Sequence, residues 1–385
     1  MMHRGKLQRS LVALVAGVLL LASANAFAAD SSAGWKTECV GRYQVSLPGE
    51  VEIILPAPRV FLDASSDHLM ARYLFDSKTF GNQGKEYRNL NSHTRSKFLY
   101  LGDIGITVEV PEIDFENLRK MYKGKKQYYL KNAPLLEKEG YSAAADAYRE
   151  NAADERPLDY DKKNMFGWDF KGGALLYLYK ESRIFILDLN FLVVGEAARN
   201  SKKDVDLFLQ SSHPRPLYEI PKGEGVCIPY GFIKDDGKPG RQIGVTMRLI
   251  DHPEVEIFFE DRSAADYGIK QTAQTQEKTE MSMLWDQQVR SSKKIDLAFL
   301  GYRSIKLEGR NGTGGFVEIT QLDGSKDYDY AAVVNGDHSA KTDAPQLMMY
   351  VIRTASRAKG TPISKSELKD MAKKIAASIK RRDAR

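Results

Sequence analysis

Between Ser211 and Gly225 the chain carries Pro214, Pro216, Pro221, Gly223 and Gly225, a density of proline and glycine that no helix or central strand tolerates. Whatever this chain folds into is therefore written in two parts. The reading is an N-terminal α+β domain over 36–212, a Pro/Gly-rich extended linker over 213–225 and a C-terminal α+β domain over 226–385. Each side runs in a similar order: a short cysteine-bearing strand, alternating strands, a helix, more strands and a closing helix. That order suggests two consecutive, related modules, each a mainly antiparallel sheet with packed helices.

In the first part, 42–47, 68–75, 104–110, 174–179 and 183–189 have the β-branched and aromatic content of strands. Leu118, Met121 and Tyr122 recur at i, i+3 and i+4, predicting a helix over 114–131, and the alanines of 141–151 predict another. Ser201 to Asp204 reads as the capped start of a helix that turns Val205, Phe208 and Leu209 to one face. In the second part Asp236-Gly237, Asn311-Gly312, Asp323-Gly324 and Asn335-Gly336 suit tight hairpins. An inner helix presents Met281, Leu284, Trp285 and Val289. The closing helix presents Leu368, Met371, Ala372, Ile375, Ala376 and Ile379, is capped by Ser364 to Glu367, and ends in Lys380-Arg381-Arg382, read as a solvated helix end.

Residues 1–28 have the build of a secretory leader. Arg4, Lys6 and Arg9 precede an apolar run from Leu11 to Leu21, and small residues around Ala26 to Ala29 suit a signal peptidase. The run is shorter than the roughly 20 apolar residues of a bilayer span, so the mature chain is expected to be exported and not stably inserted in a membrane. Losing the three basic side chains of the leader lowers the formal charge from +6 to +3. That mild balance lacks the concentrated basic face expected for a nucleic-acid partner. Two cysteines, Cys39 and Cys227, enter a compartment where one disulfide is permitted, but their placement in different halves favours two separately buried thiols.

Catalytic signatures are sparse. No Gly-x-Ser-x-Gly elbow occurs, and Ser291 to Lys294 matches Ser-x-x-Lys without a Lys-Thr-Gly partner, which leaves it a polar helix end. His68, His93, His213, His252 and His338 show no zinc spacing. Gly309 to Gly315 lacks the lysine and hydroxyl of a phosphate loop and reads as a flexible hairpin turn. Asp159 with Asp161, and Asp327 with Asp329, put two carboxylates on one strand face, an arrangement glycoside hydrolysis can use, yet their setting favours a solvated rim. No cofactor or metal is expected.

Two segments, Glu38-Cys39-Val40-Gly41-Arg42-Tyr43-Gln44-Val45-Ser46-Leu47-Pro48 and Gly225-Val226-Cys227-Ile228-Pro229-Tyr230-Gly231-Phe232-Ile233, resemble signatures of the immunity proteins for type VI secretion lipase effectors. The resemblance implies a two-domain periplasmic protein, not an enzyme, that binds a cognate phospholipase effector and shields the producing cell's membranes. It carries over no catalytic residue and, since contact surfaces vary with the toxin, no binding residue. In that reading the two modules straddle the lipase and block its lid or substrate entrance, across an interface of about 1,600 Å² or more. The alternatives are a periplasmic hydrolase with a dispersed active site, for which turnover lost on replacing Asp159, Asp161, Asp327 or Asp329 would speak, and a noncatalytic envelope adaptor.

For recognition, two surface segments stand out. Basic and aromatic side chains interleave from Lys120 to Lys131, with Lys123 and Tyr128 as contact candidates, and the turn 234–238 offers Lys234, Asp235, Asp236 and Lys238.

Overall fold

The computed structural model describes residues 34–56, 73–75, 96–101, 104–109, 115–154, 156–157, 162–170, 173–190, 202–264, 273–289, 292–297 and 301–383. The leader, Asp159 and Asp161 lie outside them. The expected α+β class is borne out, with mainly antiparallel sheet.

The chain opens with β1 (Lys36–Val40), β2 (Tyr43–Leu47), β3 (Val51–Pro56), β4 (Tyr73–Phe75), β5 (Lys97–Tyr100) and β6 (Ile104–Glu109). Helices α1 (Phe115–Lys138) and α2 (Ser142–Asp154) follow, then β7 (Arg156–Pro157), β8 (Met165–Phe170), β9 (Gly173–Lys180), β10 (Arg183–Asn190) and α3 (Lys202–Ser211). Next come β11 (Ser212–Pro214), β12 (Gly225–Ile228), β13 (Gly231–Lys234), β14 (Arg241–Leu249), β15 (Val255–Arg262), α4 (Ala273–Val289) and β16 (Ser292–Leu297). The chain closes with β17 (Arg303–Leu307), β18 (Arg310–Gln321), β19 (Lys326–Val334), β20 (Gln346–Arg353), α5 (Lys365–Ser378) and β21 (Lys380–Arg381).

The two parts do not form separate sheets. One sheet runs β16-β18-β19-β20-β15-β14-β5-β6-β10-β9-β8-β7, and the crossing falls at β14. One edge of β14 pairs along β15 while its other edge is shared: Arg241 to Gly244 face β5, and Thr246 to Leu249 face β3. Of two small sheets, β1-β2-β21 packs its β1 against β14 and β15, and β11-β13-β12 is joined to it by the Gly41–Cys227 bridge. The main buried cluster is continuous across the β14 crossing, holding Phe98, Ile106 and Phe185 from the first part with Val245, Phe259 and Val351 from the second.

Local sequence rules hold for the helices. Ser364 accepts from the Glu367 N–H while the Glu367 carboxylate accepts from the Ser364 N–H, the reciprocal cap that the spacing predicts, and α5 buries Leu368, Ala372, Ile375 and Ala376. Helix α1 runs one to two turns past its expected end, through Pro134. In α4, Met281 and Trp285 are buried as expected.

The turns are less local. Gly324 sits at φ +85° in the β18–β19 hairpin, as Asp323-Gly324 predicts. Asn311-Gly312 lies inside β18 instead, paired with Lys306 and Ile305 of β17; the turn is made by Glu308 and Gly309, both at positive φ. Asp236-Gly237 joins strands of different sheets, and eleven residues separate β19 from β20 after Val334, so neither is a tight hairpin. Inside β18, Gly312 and Gly315 serve packing, not turning. A Cβ on Gly312 would lie 2.2 Å from the Val333 carbonyl oxygen, and one on Gly315 would lie 2.7 Å from the Trp285 ring. Gly315→Ala is expected to lower stability by about 1–3 kcal/mol, from overpacking against a rigid indole, read as a lower urea midpoint at unchanged slope.

Candidate functional site

Of the four carboxylates that the hydrolase reading names, the two that are described are committed to structure. Asp327 and Asp329 are buried in β19, not on a solvated rim. Asp327 accepts from the Gln321 amide at 2.6 Å and the Ala355 N–H at 2.7 Å, and Asp329 accepts from Trp285 Nε1 at 2.8 Å. Asp329 thus satisfies a buried donor and Asp327 two partly buried ones, which is the ordinary reason for a buried carboxylate. A cavity lined by Arg262, Gln276, Asn335, His338 and Gln346 measures about 10 Å³, room for one water. Among the described residues no group of three or more His, Cys, Asp or Glu is placed to hold a metal ion.

The two cysteine segments are brought together. Cys39 and Cys227 form a disulfide across a sequence separation of 188 residues, so the expectation of two separate thiols is corrected. Distance along the chain misled there: β1 lies against β12, with paired backbone bonds between Gly41 and Cys227 at 2.8 and 2.7 Å. Gly41 has φ +59°, and a Cβ on it would meet the Asp261 carboxylate at 2.3 Å, so both conformation and space demand glycine. Asp261 in turn accepts the Arg42 N–H at 2.9 Å and Arg241 Nε at 2.6 Å.

Three buried arginines rivet the same seam. Arg42 donates to both oxygens of Asp235 at 2.8 Å. Arg215 pairs with Glu38 and donates to the carbonyls of Gly231, Glu219, Cys39 and Ile228 at 2.9 to 3.1 Å. Arg382 donates to the carbonyls of Pro221, Gly223 and Gly225 at 2.6 to 2.9 Å and lies over the Phe232 ring. The proline-rich stretch is thus extended but pinned, its otherwise unpaired carbonyls satisfied by guanidinium groups. Lys380 and Arg381 pair with β2, so the basic end is a clasp and not a solvated tail.

This seam also corrects one surface candidate. Asp235 has a side chain only 3% exposed, held by Arg42 and by the Tyr100 hydroxyl at 3.1 Å, and so faces inward. Lys234, Asp236 and Lys238 are exposed around it, and Lys238 pairs with Asp236 at 3.0 Å. Lys123 and Tyr128 are exposed on α1, more than 100 residues away in sequence from that turn. Four further exposed side chains near Tyr128, namely Leu130, Leu135, Tyr141 and Lys131, were not among the candidates. Their signal is helical phase: Leu135 falls two turns after Tyr128 on the same ribbon.

Residues 219–384 match the model of the Tle cognate immunity protein 4 C-terminal domain. The second part of this chain is similar to that domain along nearly its whole length. The matched residues include the second cysteine segment, Gly225 to Ile233. The fold is similar over 92% of this chain and 99% of the other to the immunity protein TplEi of the type VI secretion system of Pseudomonas aeruginosa, solved with an "L" peptide (TM-score 0.53, 16% identity). It is equally similar, over the same shares, to a chain of the Tle4–Tli4 complex (TM-score 0.55, 15% identity). No curated protein matches the chain. The family domain begins at Glu219, within the pinned segment, and contains one half of the disulfide.

Two outcomes follow from the seam. Closing a loop of this length stabilises by about 5 kcal/mol in the chain-entropy model, so reduction, or Cys39→Ser with Cys227→Ser, should lower the melting temperature by several degrees or more; an unchanged melting curve would show that the bridge carries no stability. The Tyr100 phenol is held above its usual range, first by burial and then by the Asp235 charge and hydrogen bond, and Tyr43 is raised by burial first. The unfolded chain ionises these phenols near pH 10 while the folded chain keeps the protons. Their stabilising contribution is present below about pH 10 and is lost as pH rises toward the folded values, so the urea midpoint should fall above pH 10, and fall less steeply in Tyr100→Phe.

Proposed function

We propose that this chain is a periplasmic immunity protein that binds a cognate type VI phospholipase effector and blocks it stoichiometrically. The observation that carries this reading is the match of residues 219–384 to the immunity domain, within a fold similar along nearly the whole chain to two immunity-protein structures. The secretory leader of residues 1–28 supports the compartment, and no helix among the described residues is long and apolar enough to cross a membrane. The Cys39–Cys227 bridge supports it too, since such bonds persist in an oxidising space. Inhibition without turnover agrees with carboxylates that are spent on Trp285, Gln321 and backbone N–H groups.

Physically, a single sheet continuous through β14 gives an inhibitor a stiff frame, so little ordering entropy remains to be lost on binding. The mature chain, mixed with the phospholipase encoded beside its gene, should form a stable equimolar complex in which phospholipid hydrolysis is suppressed. Fractionation should recover the mature chain from the periplasm, cleaved after the leader. Undiminished hydrolysis at saturating inhibitor, or no complex, would overturn the reading.

A further inference from the structure

Helices α1 and α2 form an arm whose root is buried and whose length is not. Phe115 and Leu118 pack with Phe166, Leu175, Tyr177, Ile184 and Ile186 on the sheet. The Arg119 guanidinium lies over the Phe115 and Phe166 rings at 5.4 and 5.6 Å and donates to the Met165 carbonyl at 2.9 Å. Beyond that clamp, only Ala133 in α1 and Ala145 and Ala152 in α2 are buried among the described side chains. The helices hold each other through Tyr129 against Tyr148, ring centroids 5.0 Å apart, and through Arg149, which pairs with Glu137 and Asp146. The arm is thus rigid, anchored and largely unburied.

Its surface is not that of an ordinary solvated helix pair. Of the eight exposed large hydrophobic residues among those described, four lie here within fourteen residues: Tyr128 at 56%, Leu130 at 47%, Leu135 at 51% and Tyr141 at 61%. The root half, Phe115–Lys131, carries six basic side chains against the single acid Glu116. Lys120, Lys126 and Lys131 are exposed, and Lys131 follows Lys120 by three turns on a ribbon next to that of Tyr128 and Leu135. Basic and apolar ribbons therefore run side by side along one rigid element.

We infer that this arm is a docking element for the effector, taking an acidic protein face with an apolar centre. The inference rests on the proposed immunity function. Tyrosine and leucine anchors framed by lysines are what a protein interface selects, the anchors setting dissociation and the lysines steering association. A membrane surface fits less well, because an interfacial helix needs one broad apolar face and here Leu130 lies on the opposite side of α1 from Tyr128 and Leu135.

Binding of the phospholipase encoded beside this chain's gene, followed by surface plasmon resonance at two salt concentrations, tests the arm. Lys120→Glu/Lys126→Glu/Lys131→Glu should slow association by about tenfold or more at low salt and flatten its salt dependence. Tyr128→Ala/Leu135→Ala should raise the dissociation rate by about tenfold. Both variants alter exposed side chains and should keep the wild-type circular dichroism and melting curve. The control Arg303→Glu/Lys306→Glu/Lys359→Glu, exposed on the other half, should bind as wild type. Arm variants that bind and inhibit like wild type would overturn the docking element while leaving the immunity function standing. Equal weakening by the control would overturn it as a general charge effect. Loss of sedimentation with phosphatidylglycerol vesicles while effector binding is intact would assign the arm to membrane instead. No binding by the wild-type chain would remove the immunity function, and the docking element with it.

Discussion

The burial of β1 and β2 against strands that follow them by nearly 200 residues is the contact on which the rest depends. The Cys39–Cys227 bridge, the Gly41–Cys227 backbone pair and the Arg42–Asp235 fork lie within a few residues of one another and act on one seam. Each alone is an ordinary interaction. Together they close the loop formed by the whole first part, so the entropy cost of long-range pairing is met at one place. The strands of that first part then need only extend a sheet whose middle, β14, is already held on both edges.

That arrangement explains why charged groups crowd a region that is otherwise core. An extended proline-rich segment cannot satisfy its own carbonyls, and burying it without partners would cost about 1–3 kcal/mol per group. Arg215 and Arg382 supply several donors each to those carbonyls. Their charge is offset nearby, with Glu38 on Arg215, Asp235 on Arg42, and the charges of Glu224 and Asp235 beside Arg382. Removing one partner would strand a buried charge, so the network behaves as a unit and not as separable salt bridges.

The same seam divides function from framework. The segments that carry the family resemblance are consumed by the disulfide and the arginine network, which makes them marks of a shared fold and not of a shared binding surface. Under the proposed function, recognition falls to elements that project from the frame, where side chains can change without cost to the core. The arm of α1 and α2 has that position, with its root locked by Phe115, Leu118 and Arg119 and its outer ribbons open.

Sequence alone determined what short-range periodicity can encode. The α+β class, the helices from Phe115 and Lys365, the Ser364 cap, the strands around β9 and β10, and the basic-aromatic character of α1 all arise from residues within one or two turns of each other. Tertiary structure decided whatever depends on distant partners. It paired Cys39 with Cys227, turned Asp235 inward between Arg42 and Tyr100, buried Asp327 and Asp329 under Gln321 and Trp285, and drew the Gly312 and Gly315 positions into β18 against Val333 and Trp285. An aspartate or glycine looks the same in a loop as in a packed strand until its neighbour in space is known. Except for Gln321, six residues before Asp327, those neighbours lie from about twenty to nearly 200 residues away, beyond the reach of any local pattern.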